Sequence, residues 1–506
     1  MISENKKIAK NTIIVYANMF ISMIIGLFTS RLVLQALGVS DFGLYNVVGG
    51  VVILCTFLLS SLSVSTTRFL NLEMGNPNGD LNRIFNVCNV LHIVLALLVL
   101  LFSELLGFWY IDSYLNVDLG KISDAKFVFQ VSIIVSCVGV ANVPYVGLFN
   151  ANENFLFSAI VNISLSIIQL LLVFFLVSYE GNRLRAYSLI MSLSTLISFI
   201  IYRYYCYKYW PGTIKWNFTK KWPLYKEVLM YNNFNILSTA ALMIRSQGAA
   251  LLINSFFGTA VNGAYAISKS VESYVLSFSA NFDRAAVPQI TQNYSSGNIG
   301  RMTDLACKTG RYTIFLMMIV FFPLYSEIEM VLTLWLGNVP EGAVDFCKAT
   351  LTMAFVGVTG AGVSTVTDCN KIEVFKTVFS VLLFLCLIFG YILFKSGSNA
   401  YILIYMFAVV DSLWRAIQLI LANKLLKFDS LRYIKDVYGP ALKSGLIVIF
   451  IIYLSSLFAA SYLLWHIVRF MTIALSTIFL IYKLGLIKGE QELLKNFVRS
   501  RVKTLS

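Results

Sequence analysis

Positive side chains inside long apolar runs are the residues of this chain most able to do chemistry. Arg31, Arg245 and Lys269 stand within such runs, and Arg68 and Arg284 stand at the ends of two of them. A Lys, Arg or Asp at the centre of a membrane helix costs about 2.5–3.5 kcal/mol on insertion scales. Such a cation either lines a wet vestibule, where it attracts an anion, or reaches back to the interface or to a nearby carbonyl. The positions of Arg68 and Arg284 suit both uses. Arg31 is close enough to the end of its run to reach the interface, whereas Arg245 is mid-run and favours a cavity. Acids are scarcer. Glu272 follows Lys269 by three residues and Asp411 precedes Arg415 by four, spacings that allow intrahelical ion pairs. Mutual neutralisation is the simpler reading of both. Glu272, Asp411 and Asp368, which ends a run near Lys371, are also the positions where a coupling ion could bind.

The chain must be able to hold these groups in lipid. Of its 506 residues 58% are hydrophobic and 13% charged, and its mean hydropathy is +0.77. A soluble protein cannot hide that much apolar surface, so the fold class is an all-α polytopic membrane protein. The net charge of +14 reads as basic loops on one membrane face. No basic patch interleaved with aromatics stands outside the apolar runs, which argues against nucleic acid as a partner. Cys55, Cys88, Cys137, Cys206 and Cys386 lie in apolar runs and no CxxC occurs, so they read as small buried hydrophobes. His92 and His466 are the only histidines, which argues against a histidine-ligated metal. Met1 to Lys10 reads as a basic lead into a retained first helix.

Fourteen spans can be laid down, at 12–37, 44–68, 84–110, 127–149, 156–178, 186–207, 229–257, 261–287, 311–336, 347–368, 374–394, 399–422, 441–463 and 467–486. The longest polar connectors are 207–226 and 288–311. With the N-terminus inside, 28 of the 39 Lys and Arg fall on the cytoplasmic side and 7 outside, and 4 are interior to spans: Arg31, Arg245, Lys269 and Arg415. This ratio places both termini in the cytoplasm.

A turn is used twice. Leu37-Gly38 and Phe42-Gly43-Leu44-Tyr45 return as Phe257-Gly258 and Asn262-Gly263-Ala264-Tyr265, with Gly38, Gly43 and Tyr45 each matched 220 residues on. Six spans separate the copies, so the halves are parallel and related by an axis along the membrane normal. The expected organisation is an N-terminal lobe at 1–226, a C-terminal lobe at 227–436, and a last pair of spans with a cytoplasmic tail at 437–506. Span one carries Asn11, Asn18, Ser22, Gly26 and Thr29 at helical spacing, and span seven carries Asn235, Ser238 and Arg245. These stripes suit helix packing and a hydrated passage equally. Gly360-Ala361-Gly362 lacks the Gly-Lys-Ser/Thr of a phosphate loop and reads as an aid to helix packing. No catalytic set can be defended, no cofactor is expected, and energy would come from an ion gradient (Na+ or H+), the substrate's own gradient or a partner.

Arg31, Leu37-Gly38, Phe42 to Tyr45 and Ser65 to Phe69 resemble the polysaccharide exporters, Wzx-type O-antigen flippases, of the multidrug/oligosaccharidyl-lipid/polysaccharide superfamily. The resemblance is most specific over residues 10–75. It implies a V-shaped, MATE-like pair of six-helix lobes plus two C-terminal helices that offer a lipid-facing groove. It implies a flippase that moves undecaprenyl-diphosphate-linked repeat units of polysaccharides such as lipopolysaccharide O-antigen across the bacterial inner membrane. The partners implied are the lipid-linked oligosaccharide, membrane lipids and glycan polymerase machinery. By match to related lipid II flippases, Arg31, Arg68 and Arg284 line a cationic cavity; Arg245 and Lys269 join them from this sequence alone. Cation-coupled drug exporters of the superfamily often carry an acid in span one, and none stands between Asn11 and Leu37. The rival readings are an ion-coupled multidrug exporter and, further off, a membrane glycan polymerase or glycosyltransferase.

Overall fold

A computed structural model of the chain describes residues 2–55, 66–67, 69–70, 73–74, 79–152, 154–230, 233–369, 373–458, 462–486 and 489–492. All regular structure among them is helical. In chain order the helices are α1 (Ile2–Cys55), α2 (Leu81–Ser113), α3 (Ile122–Ala151), α4 (Phe155–Val177), α5 (Arg183–Tyr209), α6 (Pro211–Ile214), α7 (Trp222–Met230) and α8 (Asn233–Ser295). There follow α9 (Ile299–Ser326), α10 (Ile328–Leu336), α11 (Ala343–Val358), α12 (Val363–Cys369), α13 (Glu373–Lys395), α14 (Ile402–Leu426), α15 (Ser430–Tyr433), α16 (Gly439–Ser456) and α17 (Leu463–Leu480). Apolar sequence makes them helices because only a helix satisfies its own backbone in lipid. Four of them start on an Asx side chain that accepts from the N–H of an arginine three residues on: Asp80 from Arg83, Asn182 from Arg185, Asn298 from Arg301 and Asp429 from Arg432.

Eleven helical segments among the described residues are long and apolar enough to cross a membrane. Their difference from fourteen has three local sources. Span one and the described start of span two form the single α1, and spans seven and eight the single α8. A straight 54-residue helix would run about 80 Å against a hydrocarbon core of about 30 Å. Both long helices are therefore broken, at Gly38 (φ 75°, ψ 172°) and Gly258 (φ 81°, ψ −177°). The third source is span ten, expected as one helix over 347–368, which ends at Val358 and restarts at Val363. The expected connector 288–311 is mostly helical, and the turn there is confined to 296–298. The polar stretch was short of apolar residues, not of helix formers.

The chain forms two compact units. Unit 1 comprises Met1–Ala266 and Lys376–Ala400. Its core is aromatic: Phe149 of α3 meets Phe157, Tyr202, Tyr205 and Trp210 with ring centroids 4.8–5.3 Å apart. Phe394 of α13 packs on Phe256 and Phe257 of α8. Unit 2 comprises Ile267–Phe375 and Tyr401–Ser506, around a core that includes Met302, Phe315, Met318, Leu419, Phe428, Tyr433 and Ile473. Away from both cores large apolar side chains face outward. Phe174, Phe175, Leu446, Phe450, Leu475 and Phe479 each expose more than half of their surface. Such a surface is at home only in lipid, and the chain is a multi-pass membrane protein.

The break in span ten is a built feature of unit 2. It frees carbonyls that a continuous helix would have used, and side chains from later helices take them. Tyr433 Oη donates to the carbonyls of Ala361 (2.6 Å) and Thr359 (3.2 Å), and Tyr438 Oη donates to Thr359 (3.1 Å). Arg415 donates to the Gly357 carbonyl (2.8 Å), to Gln418 Oε1 (2.8 Å) and to Ser364 Oγ (3.1 Å). Gly360 lies under that guanidinium, where a Cβ would come 2.3 Å from Cζ. The Gly-Ala-Gly stretch thus seats a cation and opens a helix. Irregular backbone survives at this depth because protein groups satisfy it.

Candidate functional site

The two turns of the sequence repeat come together within unit 1. A Cβ on Gly43 would lie 1.9 Å from the Thr259 carbonyl oxygen, and one on Gly263 would lie 2.4 Å from the Val39 carbonyl oxygen. Residues 39 and 43 correspond to 259 and 263 in the repeat, so each copy presents the same pair to the other. This is the reciprocity that a twofold relation requires of a self-complementary contact. Asn262 Nδ2 donates to the Gly43 carbonyl (3.1 Å), and the Ser40 and Thr259 hydroxyls are 2.7 Å apart. Glycine is needed because backbone meets backbone without a side chain between. The last carbonyls before the first break are also served: Arg183 donates to the Ala36 oxygen at 3.2 Å.

The loop after α2 fastens to both turns. Lys121 Nζ pairs with Asp41 at 2.8 Å on the first turn. On the second, fully buried Asn254 accepts from Tyr110 Oη and from the Asn116 N–H, both at 3.2 Å. Asn254→Ala removes a buried acceptor that serves two donors. It is expected to cost about 1–3 kcal/mol, seen as a lower thermal midpoint in detergent, whereas Lys121→Ala at its partly exposed pair costs under about 1 kcal/mol.

The intramembrane charges are distributed as follows. In unit 1, Arg31 sits in α1 ahead of Gly38 and Arg245 in α8 ahead of Gly258; both are half-buried and engaged by the surrounding fold. Along the span-one stripe, Ser22 donates to Asn18 (3.4 Å), Thr29 to the Ile25 carbonyl and Ser30 to the Gly26 carbonyl. In unit 2, Lys269 Nζ pairs with Glu272 at 2.5 Å, so the pair allowed by the spacing is formed. Asp411 is buried in α14, four residues ahead of Arg415. Arg68 lies outside the described residues. Arg284 and Asp368 are helical, and their side chains lie outside what is described.

Two buried ion-pair groups in unit 2 were not singled out by the sequence. Glu327, between α9 and α10, is buried and meets His466 Nδ1 and Arg469 of α17, both at 2.7 Å. Buried Arg311 of α9 pairs with Glu490, which also accepts from Tyr312 Oη. Glu327 follows Pro323 at the end of an apolar run, and His466 is one of two histidines; composition marks both residues, but not their pairing.

Unit 2 also holds an apolar cavity of about 930 Å³ among α9, α11, α14 and the 430–456 segment. Met318, Phe322, Phe355, Leu419, Leu442 and Leu446 are among its walls, and Arg415 and Lys424 are its two cations. α17 contributes no lining residue to this cavity.

No family model matches the chain, and no curated protein sequence does. Solved structures do. The chain is similar to the lipid II flippase MurJ in an inward closed conformation, with a TM-score of 0.69 and 14% identity over 92% of this chain and 98% of that one. It is similar to an inward-facing multidrug resistance MATE family transporter of the MOP superfamily, with a TM-score of 0.59 and 14% identity over 81% and 96% of the two chains. It is also similar to a mutant of the Vibrio cholerae MATE transporter VcmN, with a TM-score of 0.57 and 14% identity over 83% and 97%. The chain has the all-helical fold that MurJ and the MATE transporters share.

Proposed function

We propose that the chain is a flippase that carries undecaprenyl-diphosphate-linked oligosaccharide repeat units across the bacterial inner membrane by alternating access. The reciprocal contact between the repeat turns carries this reading. It joins the two related turns within unit 1 through backbone contacts and few side chains. A seam of that kind can part and re-form without unpacking a core. In the proposal it is the outer gate, fastened by Asn254 and Lys121. Both termini are cytoplasmic, the halves follow the repeat, and the chain performs no catalytic step.

The diphosphate is bound by cations on the helices that flank the turns: Arg31 and Arg245, with Arg68, Lys269 and Arg284. Charge-assisted bonds to phosphate are about twice as strong as neutral ones. Glu272, Asp368 and Asp411 are the positions for a coupling ion, and glycan polymerase machinery would take up the product. The lipid II flippase with this fold supports a lipid-linked cargo.

Export of lipid-linked glycan in cells tests the reading. Arg31→Ala and Arg245→Ala are each expected to lower it about tenfold or more, the equivalent of one lost charge-assisted contact of about 1.5–3 kcal/mol. Unimpaired export in both variants refutes the cavity role. Resistance to cationic drugs that depends on Glu272, Asp368 or Asp411 would transfer the chain to the multidrug reading.

A further inference from the structure

The connector between α5 and α8 has surface chemistry that a simple linker does not need. Lys208, Lys215, Lys220, Lys221 and Lys226 are all exposed, and from 207 to 227 the single acid is Glu227. Tyr204, Tyr207, Tyr209, Trp216, Phe218 and Trp222 each expose more than half of their surface. Amphipathic rings at the end of a span sit at headgroup level, and lysines beside them face the anionic surface of the cytoplasmic leaflet. This is the side to which the Lys and Arg count assigns the connector.

The segment is held in place rather than trailing. Asn82 Nδ2 lies within 2.7–3.0 Å of the carbonyl oxygens of Gly212, Thr213 and Lys215. Asn86 donates to the Lys215 carbonyl at 2.9 Å and accepts from the Asn217 N–H at 3.1 Å. Tyr225 Oη donates to the Thr219 carbonyl at 2.9 Å, and burial pushes its phenol above the usual range. Beside the connector is a groove of about 440 Å³ walled by Phe157, Ile200, Tyr204, Tyr205 and Tyr209, with Lys208 its one cation. Lys208 Nζ lies 5.5 Å from the centroid of the Tyr209 ring, and Asn154 Nδ2 fixes Tyr205 by donating to its Oη at 2.9 Å.

We propose that this groove is a binding site for an anionic phospholipid of the cytoplasmic leaflet. A segment of acyl chain lies against Ile200 and the tyrosine rings, the phosphate meets Lys208, and the connector lysines draw anionic headgroups to the mouth. The occupant is a membrane phospholipid rather than the cargo. Six aromatic rings and five lysines spread from 204 to 226, over the end of α5 and the connector, match a headgroup layer, not one diphosphate.

Tryptophan quenching reads this out, since Trp210, Trp216 and Trp222 lie in the connector. The full-length protein is placed in phosphatidylcholine nanodiscs that contain brominated phosphatidylglycerol or, in parallel, brominated phosphatidylcholine at the same mole fraction. The brominated phosphatidylglycerol is expected to quench at least twice as strongly as the phosphatidylcholine at low ionic strength. The preference should shrink in 0.5 M salt, where screening acts within about 4–5 Å. Lys208→Gln should lower the apparent affinity about fivefold, the effect of one basic residue near an anionic surface. Lys215→Gln/Lys220→Gln/Lys221→Gln should weaken the preference further. Equal quenching by the two lipids overturns the proposal. So does a preference that neither salt nor the lysine variants change. The salt series uses the unaltered chain, so the outcome does not depend on how a variant folds.

Discussion

Gly43→Val is expected to reduce transport more than tenfold while leaving the helices intact. The Cβ alone would meet the Thr259 carbonyl oxygen at 1.9 Å and the Gly263 nitrogen at 2.7 Å. Both obstacles are backbone, so no rotamer change relieves them. Gly263→Ala meets the Val39 carbonyl oxygen at 2.4 Å and Val39 Cγ1 at 2.9 Å, and should act in the same direction. Each substitution separates the repeat turns and biases the protein towards the state in which that end is open. A cysteine introduced by Ser40→Cys, beside the seam, should then react faster with an impermeant maleimide. Gly49→Ala and Gly139→Ala are the controls. Both are helical, with no atom within 4 Å of the added Cβ, and alanine there should stabilise by up to about 1 kcal/mol. Wild-type transport and labelling in Gly43→Val would show that the seam does not gate.

Glu327→Leu is expected to cost about 3–5 kcal/mol, because it strands a buried guanidinium. The Glu327 side chain is 2% exposed, and its two oxygens engage Arg469 and His466 separately. Once the carboxylate is gone, Arg469 retains Ser455 Oγ at 2.9 Å and the Ile452 carbonyl at 3.4 Å, neither of which carries charge. The loss should appear as a drop in the thermal midpoint in detergent, with earlier proteolytic release of α17, which this group pins to the end of α9. Glu327→Gln keeps a hydrogen-bonding shape and should fall between the two. Arg432→Ala provides the contrast: its partners Asp304 and Asp436 are 45% and 37% exposed, and pairs so open to solvent contribute about 0–1 kcal/mol each. A midpoint unchanged by Glu327→Leu would show that α17 is held by apolar packing alone.

Comparison of particular elements shows where local information ends. Apolar length and the Lys and Arg distribution are summed over neighbours in the chain, so the helical membrane fold is present in the sequence. The repeat turns were legible for a related reason. Gly38 and Gly258 adopt left-handed φ angles of 75° and 81°, a conformation that favours glycine, and the spacing of 220 residues repeats the requirement. The Lys269–Glu272 pair is likewise set by the pitch of one helix.

The opening of span ten could not be found that way. Gly360-Ala361-Gly362 suits close packing or a break, and the choice rests on Tyr433, Tyr438 and Arg415, which arrive from other helices to take the freed carbonyls. The meeting of Gly43 with Thr259, and of Glu327 with His466 across 139 positions, is of the same kind. Periodicity reports which face of a helix is apolar and says nothing of which distant residue will cover it. The sequence by itself determined that this chain crosses a membrane as helices, where those helices turn, and that a turn is used twice. Only the tertiary structure decided that the two turns close on each other and which buried charges are matched, because carbonyls and carboxylates in lipid are satisfied by whatever packing brings within about 3 Å.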